Sequence, residues 1–343
     1  MRFPLCHSGG ARGLFLLGVA LVQLSCGIAA EKIARPGIKD VQAPMAELKP
    51  SSTFELGGNP DWMVVTDNAV WISVACLKSV FRIDVVANKV AAKVEFTSAP
   101  CAGLAVGFGS LWVPLRLKGQ EPTLARVDLQ TNSVTATLAA GPADSEGGVT
   151  VTDDSVWIVT DKNGTLARID PSTNTVRQKV AIPSGSFNPL FSGGLVWITR
   201  VEANVVTMIN AKTGQIVGTV GVGPNPRFLT SGAGSIWTLN QGDGSVTRID
   251  IKSRRVVGTI ALGIPGPGGE ICFGANSIWA TMLDVPLTRI DTATNVVLRQ
   301  WVGAGGDSVR VGHGSVWLTS LKQGLLWRIP LSKGLGTPTA SRQ

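Results

Sequence analysis

The stretch Gly234-Ser235-Ile236-Trp237-Thr238 decides the fold, because variants of it recur along the whole chain. Two clear copies are Gly109-Ser110-Leu111-Trp112-Val113 and Asp154-Ser155-Val156-Trp157-Ile158. The tryptophans that mark the copies are Trp71, Trp112, Trp157, Trp197, Trp237, Trp279 and Trp317. Their spacing of roughly 40 residues indicates a repeat protein in which each unit is one supersecondary structure.

A second phrase follows each tryptophan within the same unit and leads into a polar turn. Its copies are Arg82-Ile83-Asp84, Arg126-Val127-Asp128, Arg168-Ile169-Asp170, Met208-Ile209-Asn210, Arg248-Ile249-Asp250, Arg289-Ile290-Asp291 and Arg328-Ile329-Pro330. Val, Ile and Thr alternate around both phrases, and Gly, Asn and Asp separate the segments, which is typical of short β-strands. Each unit is therefore predicted to hold four strands.

Four-stranded units with this period are the blades of a β-propeller. We predict an all-β, seven-bladed propeller of four-stranded blades over residues 52–332. The last unit lacks a fourth strand after Pro330, whereas residues 52–57 resemble a fourth strand with no blade before it. If this N-terminal strand completes the last blade, the ring closes without an unpaired inner edge.

Both phrases are expected to be structural. One large aromatic side chain per unit at one register fills the space between adjacent sheets, although a ring of ligand-binding aromatics is the alternative. In the second phrase the isoleucine is expected to point inward, and the aspartate to open the turn that follows.

Residues 1–30 are predicted to be a signal peptide. Arg2 and Arg12 flank the start, residues 14–22 are apolar but too short to span a bilayer, and Ile28-Ala29-Ala30 offers a cleavage site before Glu31. An N-terminal membrane anchor and a lipoprotein signal at Cys26 are the alternatives. The mature chain is then periplasmic or secreted, with an extended leader at 31–51 and a disordered tail at 333–343.

The charge of the chain argues against nucleic-acid binding. The formal net charge is +8, and it falls to about +6 without Arg2 and Arg12. The densest basic spot is Lys252, Arg254 and Arg255, with no basic stripe and no stacking aromatics. No later stretch is long and apolar enough to cross a membrane. A monomer is expected.

Three cysteines remain after the signal peptide. Cys76 ends the second strand of blade 1 and Cys101 begins the first strand of blade 2, so both are expected on the same rim of neighbouring blades. In an oxidising compartment this favours a Cys76–Cys101 disulfide. Cys272 lies in an apolar strand and is expected to be a buried thiol.

The candidate ligand site lies where the loops between blades open beside the channel. The innermost strands are predicted to begin there with Asp61, Cys101, Glu146, Asn188, Arg227, Glu270 and Asp307, and the loops after the tryptophan strands add Arg116, Asp161, Lys162, Arg200 and Asn240. The predicted ligand-binding residues are Asp61, Glu146, Asn188, Arg227, Glu270, Asp307, Arg116 and Arg200.

Carboxylates converging at this mouth would bind a cation or have raised pKa values. The set Glu146, Glu270 and Asp307 is the candidate ligand set for Ca²⁺ or Mg²⁺, and exposed rim residues are the alternative. The arginines could bind a carboxylate or a phosphate. The chain has no Tyr, and His313 is expected at the opposite face, so a conventional base is missing from the mouth.

The Gly-Ser-Val-Trp and Arg-Ile-Asp phrases, with turns such as Asn132-Ser133-Val134 and Asn174-Thr175-Val176, resemble those of YVTN/YncE-type repeat propellers and their streptogramin (virginiamycin B) lyase-like relatives. The resemblance covers about residues 52–330. It implies the propeller fold, and in the lyase relatives a divalent metal held by histidines and glutamates. Gluconolactonase-type lactonases hold a divalent metal through Glu, Asn and Asp side chains.

Three functions therefore remain open. The first is a non-catalytic exported module that binds a small ligand, a peptide or a partner protein at the channel mouth. The alternative is a metal-dependent lyase or lactonase that acts through the carboxylates of the mouth. A scaffold that assembles through its blade edges is the third candidate.

Overall fold

The computed structural model describes residues 37–282, 285–331 and 335. They form seven sheets of four or five strands each, antiparallel except for one parallel pair, so the predicted seven-bladed β-propeller is confirmed. No helix of this part is long and apolar enough to cross a membrane. The predicted signal peptide (1–30) and the predicted tail (333–343, apart from Leu335) lie outside the described residues.

The strands are numbered in chain order. The first two precede blade 1 and are β1 (Gln42–Pro44) and β2 (Ser52–Glu55). Blade 1 comprises β3 (Pro60–Val65), β4 (Ala69–Val74), β5 (Ser79–Asp84) and β6 (Lys89–Glu95). Blade 2 comprises β7 (Ala99–Pro100), β8 (Ala105–Gly107), β9 (Ser110–Arg116), β10 (Thr123–Asp128) and β11 (Val134–Leu138). Blade 3 comprises β12 (Val149–Val151), β13 (Val156–Asp161), β14 (Thr165–Asp170) and β15 (Thr175–Ala181).

Blades 4 and 5 comprise β16 (Ser186–Ser192), β17 (Leu195–Arg200), β18 (Val205–Asn210) and β19 (Ile216–Gly221); and β20 (Pro226–Gly232), β21 (Ser235–Asn240), β22 (Ser245–Asp250) and β23 (Arg255–Ala261). Blades 6 and 7 comprise β24 (Ile271–Gly274), β25 (Ser277–Met282), β26 (Val285–Asp291) and β27 (Val297–Val302); and β28 (Val309–Gly312), β29 (Ser315–Ser320) and β30 (Leu325–Pro330). Three short 3-10 helices are Lys39–Val41, Met45–Glu47 and Ala75–Leu77.

The ring closes as predicted. Strand β2 pairs antiparallel with β30, with Phe54 opposite Leu326, and supplies the missing fourth strand of blade 7. The structure adds a feature that the sequence did not indicate: β1 pairs parallel with β27 as a fifth strand of blade 6. Three residues are too few for a strand periodicity to be recognised.

The tryptophans lie between adjacent blades, as expected. All seven are fully buried, with at most 1% of the side chain exposed. Each packs against the next sheet: Trp112 joins a cluster with Val156 and Ile158 of blade 3, and Trp317 joins one with Ile72 of blade 1. The indoles therefore connect the sheets, including the pair at which the ring closes.

The arginine of the second phrase contributes more than the sequence indicated. Arg248 lies over the Trp237 ring at 4.6 Å, and its Nε donates to Ser235 Oγ at 2.9 Å. Its Nη1 donates to the Thr292 carbonyl and to Asn295 Oδ1 in blade 6, both at 2.8 Å. One guanidinium thus joins the serine and tryptophan of its own blade to the turn of the next.

This arrangement recurs around the ring. Arg126, Arg168 and Arg328 each lie over the tryptophan of their blade and donate to a carbonyl in the following blade. Arg289 lies over Trp279 and donates to the carbonyl of Leu335, which follows the last strand of blade 7. In blade 4 the position is Met208, which is buried beside Trp197. The isoleucines of the phrase are buried, and its aspartates accept backbone N–H groups of the following turn, as Asp291 does from Ala293 and Thr294.

Truncation of Phe54 tests ring closure. Phe54 is buried and stacks on Trp317 with ring centroids 6.1 Å apart. We expect Phe54→Ala to lower the free energy of unfolding by about 3–5 kcal/mol, because it empties the seam between the chain ends. Thermal and urea unfolding measure the effect. Glu55→Ala, an exposed change in the same strand, is the control, and equal effects of both variants would refute the closure argument.

Replacement of Arg248 by methionine, the residue that blade 4 carries, tests the inter-blade contact. We expect Arg248→Met to destabilise the fold by about 2–3 kcal/mol, because it removes charge-assisted hydrogen bonds and a cation–π contact. Arg82→Met is the matched comparison, since Arg82 lies 3.9 Å from Asp84 of its own blade. A larger loss of stability for Arg82→Met would contradict the assignment.

Candidate functional site

The innermost strands begin at one face of the ring and place their first residues around the channel, as predicted. Threonines two residues after the tryptophan fix three of these starts: Thr199, Thr281 and Thr319 accept the backbone N–H of Asn188, Glu270 and Ser308. Thr199 and Thr281 also donate to carbonyls of the following blade, those of Arg227 and Asp307. The start of each strand is thereby tied to its neighbour.

Glu146, Asn188 and Arg227 come together across blades 3, 4 and 5. Glu146 Oε2 lies 2.7 Å from Arg227 Nη2. Asn188 is 9% exposed, and its Nδ2 donates to the carbonyls of both other residues at 3.2 Å. Glu146 has a left-handed backbone (φ +70°), an uncommon conformation for this residue, and its N–H donates to the Cys101 carbonyl at 2.8 Å.

Glu270 is paired with an arginine that the sequence analysis did not select. Glu270 is 4% exposed, and its Oε1 lies 2.5 Å from Arg310 Nη2. Its Oε2 accepts the Val309 N–H at 3.2 Å. Arg310 belongs to the innermost strand of blade 7, so the ion pair crosses from blade 6 to blade 7. Both oxygens of this buried carboxyl group therefore have a partner in blade 7.

Asp61 of blade 1 and Asp307 of blade 7 are the two aspartates of the mouth. Asp61 Oδ1 accepts from Ser308 Oγ at 3.0 Å, and Asp307 Oδ1 accepts from the Gly269 N–H at 3.3 Å. Burial, with repulsion from Asp307, raises the pKa of Asp61 well above its ordinary value. Burial, with repulsion from Glu270 and Glu146, raises the pKa of Asp307 to about 6. The prediction that carboxylates converge with raised pKa values therefore holds for both aspartates.

The two remaining predicted arginines differ. Arg116 Nη2 donates to the Pro142 carbonyl at 2.8 Å, next to the loop that carries Glu146. Arg200 Nε donates to the Ser184 carbonyl at 3.4 Å. Arg116 therefore contacts the loop that carries Glu146, and Arg200 contacts the loop that leads into β16.

The channel below the mouth contains a cavity of about 250 Å³. Its wall is about equally polar and apolar. Trp62 and Phe228, whose ring centroids are 5.6 Å apart, and Phe273 supply apolar surface, and Asn188 and the Glu270–Arg310 pair supply polar groups. A cavity that combines aromatic side chains with a few converging polar groups is the usual form of a small-molecule site.

His313 lies at the other end of the innermost strand of blade 7, as expected. Its Nε2 is 2.8 Å from the carbonyl of Thr66, a residue of the turn between β3 and β4. Strand β28 (Val309–Gly312) separates it from Ser308 at the mouth. This histidine therefore contacts the seam between blades 7 and 1.

The predicted Cys76–Cys101 disulfide is absent from the structure. The 3-10 helix of Cys76 does contact strand β7, which immediately precedes Cys101, so the expected proximity of the two segments is correct. Cys101 Sγ instead lies 3.7 Å from the Pro114 carbonyl of its own blade, and burial raises the pKa of its thiol to about 12. Cys272 is a buried thiol, as expected.

The metal set stays a prediction. Within residues 37–282 and 285–331, no three His, Cys, Asp or Glu side chains are grouped so that they could hold a metal ion. Glu146 and Glu270 each have an arginine as partner, at 2.7 and 2.5 Å, so a cation would have to compete with a guanidinium for either carboxylate.

Neither a scan against protein-family models nor a search of curated protein sequences finds a match to this chain. Of what the resemblance to YVTN/YncE-type and lyase-like propellers implied, the structure confirms the propeller architecture.

Replacement of Asp307 by asparagine tests the electrostatics of the mouth. A carboxyl whose pKa is raised in the folded state weakens the fold once it ionises. For Asp307 the penalty is absent below the ordinary pKa of 3.8, grows as the pH rises and is complete above about 6. We expect Asp307→Asn to raise the melting temperature at pH 7.5 and to change it little at pH 3.5. The same difference in melting temperature between the wild type and the variant at both pH values would contradict this expectation.

Proposed function

We propose that this protein is an exported, non-catalytic binding module that holds a small molecule or the end of a peptide at the mouth of its channel. The cavity lined by Trp62, Phe228, Asn188, Glu270 and Arg310 carries this proposal. Its volume of about 250 Å³ suits one ring or one side chain. Export is supported by the apolar run at 14–22 and the small residues before Glu31.

The charges of the mouth favour a ligand with a protonated amine. Glu146 and Glu270 each form an ion pair with an arginine from the inner strand of another blade, Arg227 of blade 5 and Arg310 of blade 7. Asp61 and Asp307 have hydroxyl and N–H donors as partners, and their mutual repulsion remains. A cationic group between these two carboxyls would relieve that repulsion and stabilise their ionised forms.

The second candidate function is a metal-dependent lyase or lactonase. One observation favours it: the pKa of Asp307 near 6 lies in the range that suits a general acid or base. The two candidates differ in their response to metal ions, because a divalent cation that binds only the folded state raises the melting temperature.

Benzylamine and benzyl alcohol are probes for the proposed function, since both fit the cavity and only the amine is charged at pH 7.5. We expect benzylamine to bind at least about tenfold more tightly, as judged by saturation-transfer NMR titration, because a close charge pair contributes on the order of 1.4 kcal/mol or more. The double variant Asp61→Asn/Asp307→Asn should abolish the difference. Asp67→Asn, an exposed change at the opposite face, should preserve it.

Two outcomes would contradict the binding proposal. Equal affinity for benzylamine and benzyl alcohol would show that the aspartates do not recognise the amine. If neither compound binds, the site itself is refuted. A rise in melting temperature with Ca²⁺, Mg²⁺ or Mn²⁺ that EDTA reverses, and that Asp307→Asn eliminates, would favour the enzyme instead.

A further inference from the structure

A second pocket opens beside the mouth, between the loops of blades 3 and 4. Its volume is about 290 Å³, close to the size of a single amino acid. Val159, Phe187 and Val201 supply apolar walls, and the Gly147 and Gly185 backbones border it. None of the apolar residues was selected from the sequence, because they precede or follow the positions that define the mouth.

Cationic groups approach this pocket from two blades. The Arg227 guanidinium lies 4.4 Å from the centre of the Phe187 ring, which holds its plane in place. Its Nη2 serves Glu146, and its Nε is buried without a hydrogen-bond partner. Lys162 is 66% exposed, and its Nζ lies 2.9 Å from Asp144 Oδ2. Because a buried N–H without an acceptor is destabilising, an oxygen ligand that reaches this atom would be favoured.

Carboxylates lie in the same pocket. Asp144 uses Oδ2 for Lys162, and Glu202 stands exposed at the rim. With the Glu146–Arg227 pair included, the two signs nearly balance. A ligand with a net charge would therefore gain little, whereas a ligand that carries one charge of each sign can meet both sets of partners.

We infer that this pocket binds the zwitterion of an α-amino acid with an apolar side chain. The carboxylate faces Arg227 and Lys162, the ammonium group faces Asp144 and Glu202, and the side chain packs on Val159, Phe187 and Val201. The inference rests on the proposed function, because the pocket belongs to the same face, and it names a ligand class for that face.

Three probes separate the contributions in the full chain: L-leucine, N-acetyl-L-leucine, which lacks the ammonium group, and L-leucinamide, which lacks the carboxylate. We expect each blocked compound to bind at least about tenfold more weakly than leucine in a saturation-transfer titration, since each loses one set of charge-assisted hydrogen bonds. Equal binding of leucine and either blocked compound would overturn the inference.

Variants at the edge of the pocket locate the site. Lys162→Gln and Phe187→Ala should each weaken leucine binding by about fivefold or more, and Lys179→Gln, an exposed lysine on the outer strand of blade 3, should not change it. Melting curves show whether each variant is folded. Lys162→Gln is expected to fold, because it changes an exposed side chain. Leucine binding that survives Lys162→Gln and Phe187→Ala but is lost in Asp61→Asn/Asp307→Asn would place leucine in the mouth and overturn the inference.

Benzylamine distinguishes failure of this inference from failure of the proposed function. If benzylamine binds and leucine does not, the second pocket is refuted and the binding function of the mouth stands. If neither binds, both are refuted.

Discussion

The packing of one indole per blade against the next sheet is the constraint on which the rest of the structure depends. A β-sheet has two faces, and a propeller blade must bury both against its neighbours. Each tryptophan is fully buried at such an interface. The arginine that lies over the indole covers the polar turn of the next blade and donates hydrogen bonds to it, as Arg248 does to the Thr292 carbonyl. Packing and polar satisfaction therefore act at the same seam, and the ring angle between blades follows from both.

The same constraint builds the site. Once the second strand of a blade is fixed by its indole, the threonine two residues later has a fixed position, and it accepts the first N–H of the inner strand. The inner strands of blades 4, 6 and 7 therefore begin at a defined height, where Asn188, Glu270 and Ser308 reach the channel. Symmetry ends at the side chains. The backbone repeats around the ring, while the residue type at the mouth varies from blade to blade, so that one frame presents acids, an amide and arginines to a single opening.

The fold could be predicted because its signals are periodic: the tryptophan phrase, the arginine phrase and the missing fourth strand after Pro330 each compare one unit with another. The positions at the mouth followed from the same alignment. The pairing of their charges did not, because Arg310 lies two residues after Ser308 on the inner strand, beyond the aligned position, and its contact with Glu270 depends on the neighbouring blade. The disulfide failed for a related reason. Alignment placed Cys76 and Cys101 at one rim, but it carries no information on side-chain direction, and the Cys101 thiol turns toward its own blade.

The division of charges at the mouth is the reason that we propose binding rather than catalysis. Isolated buried carboxylates are costly, and two of the four at the mouth meet this cost through an arginine of another blade. Such pairs are rigid, and they draw the blades together, but a carboxylate held in this way is poorly placed to take a proton from a substrate. Asp61 and Asp307 have a hydroxyl and an N–H as donors, and burial together with repulsion from neighbouring carboxylates raises the pKa of both. The mouth therefore keeps two acids whose ionisation depends on an occupant. That dependence is a property of a binding site, since the occupant's charge, rather than a reaction, restores the balance.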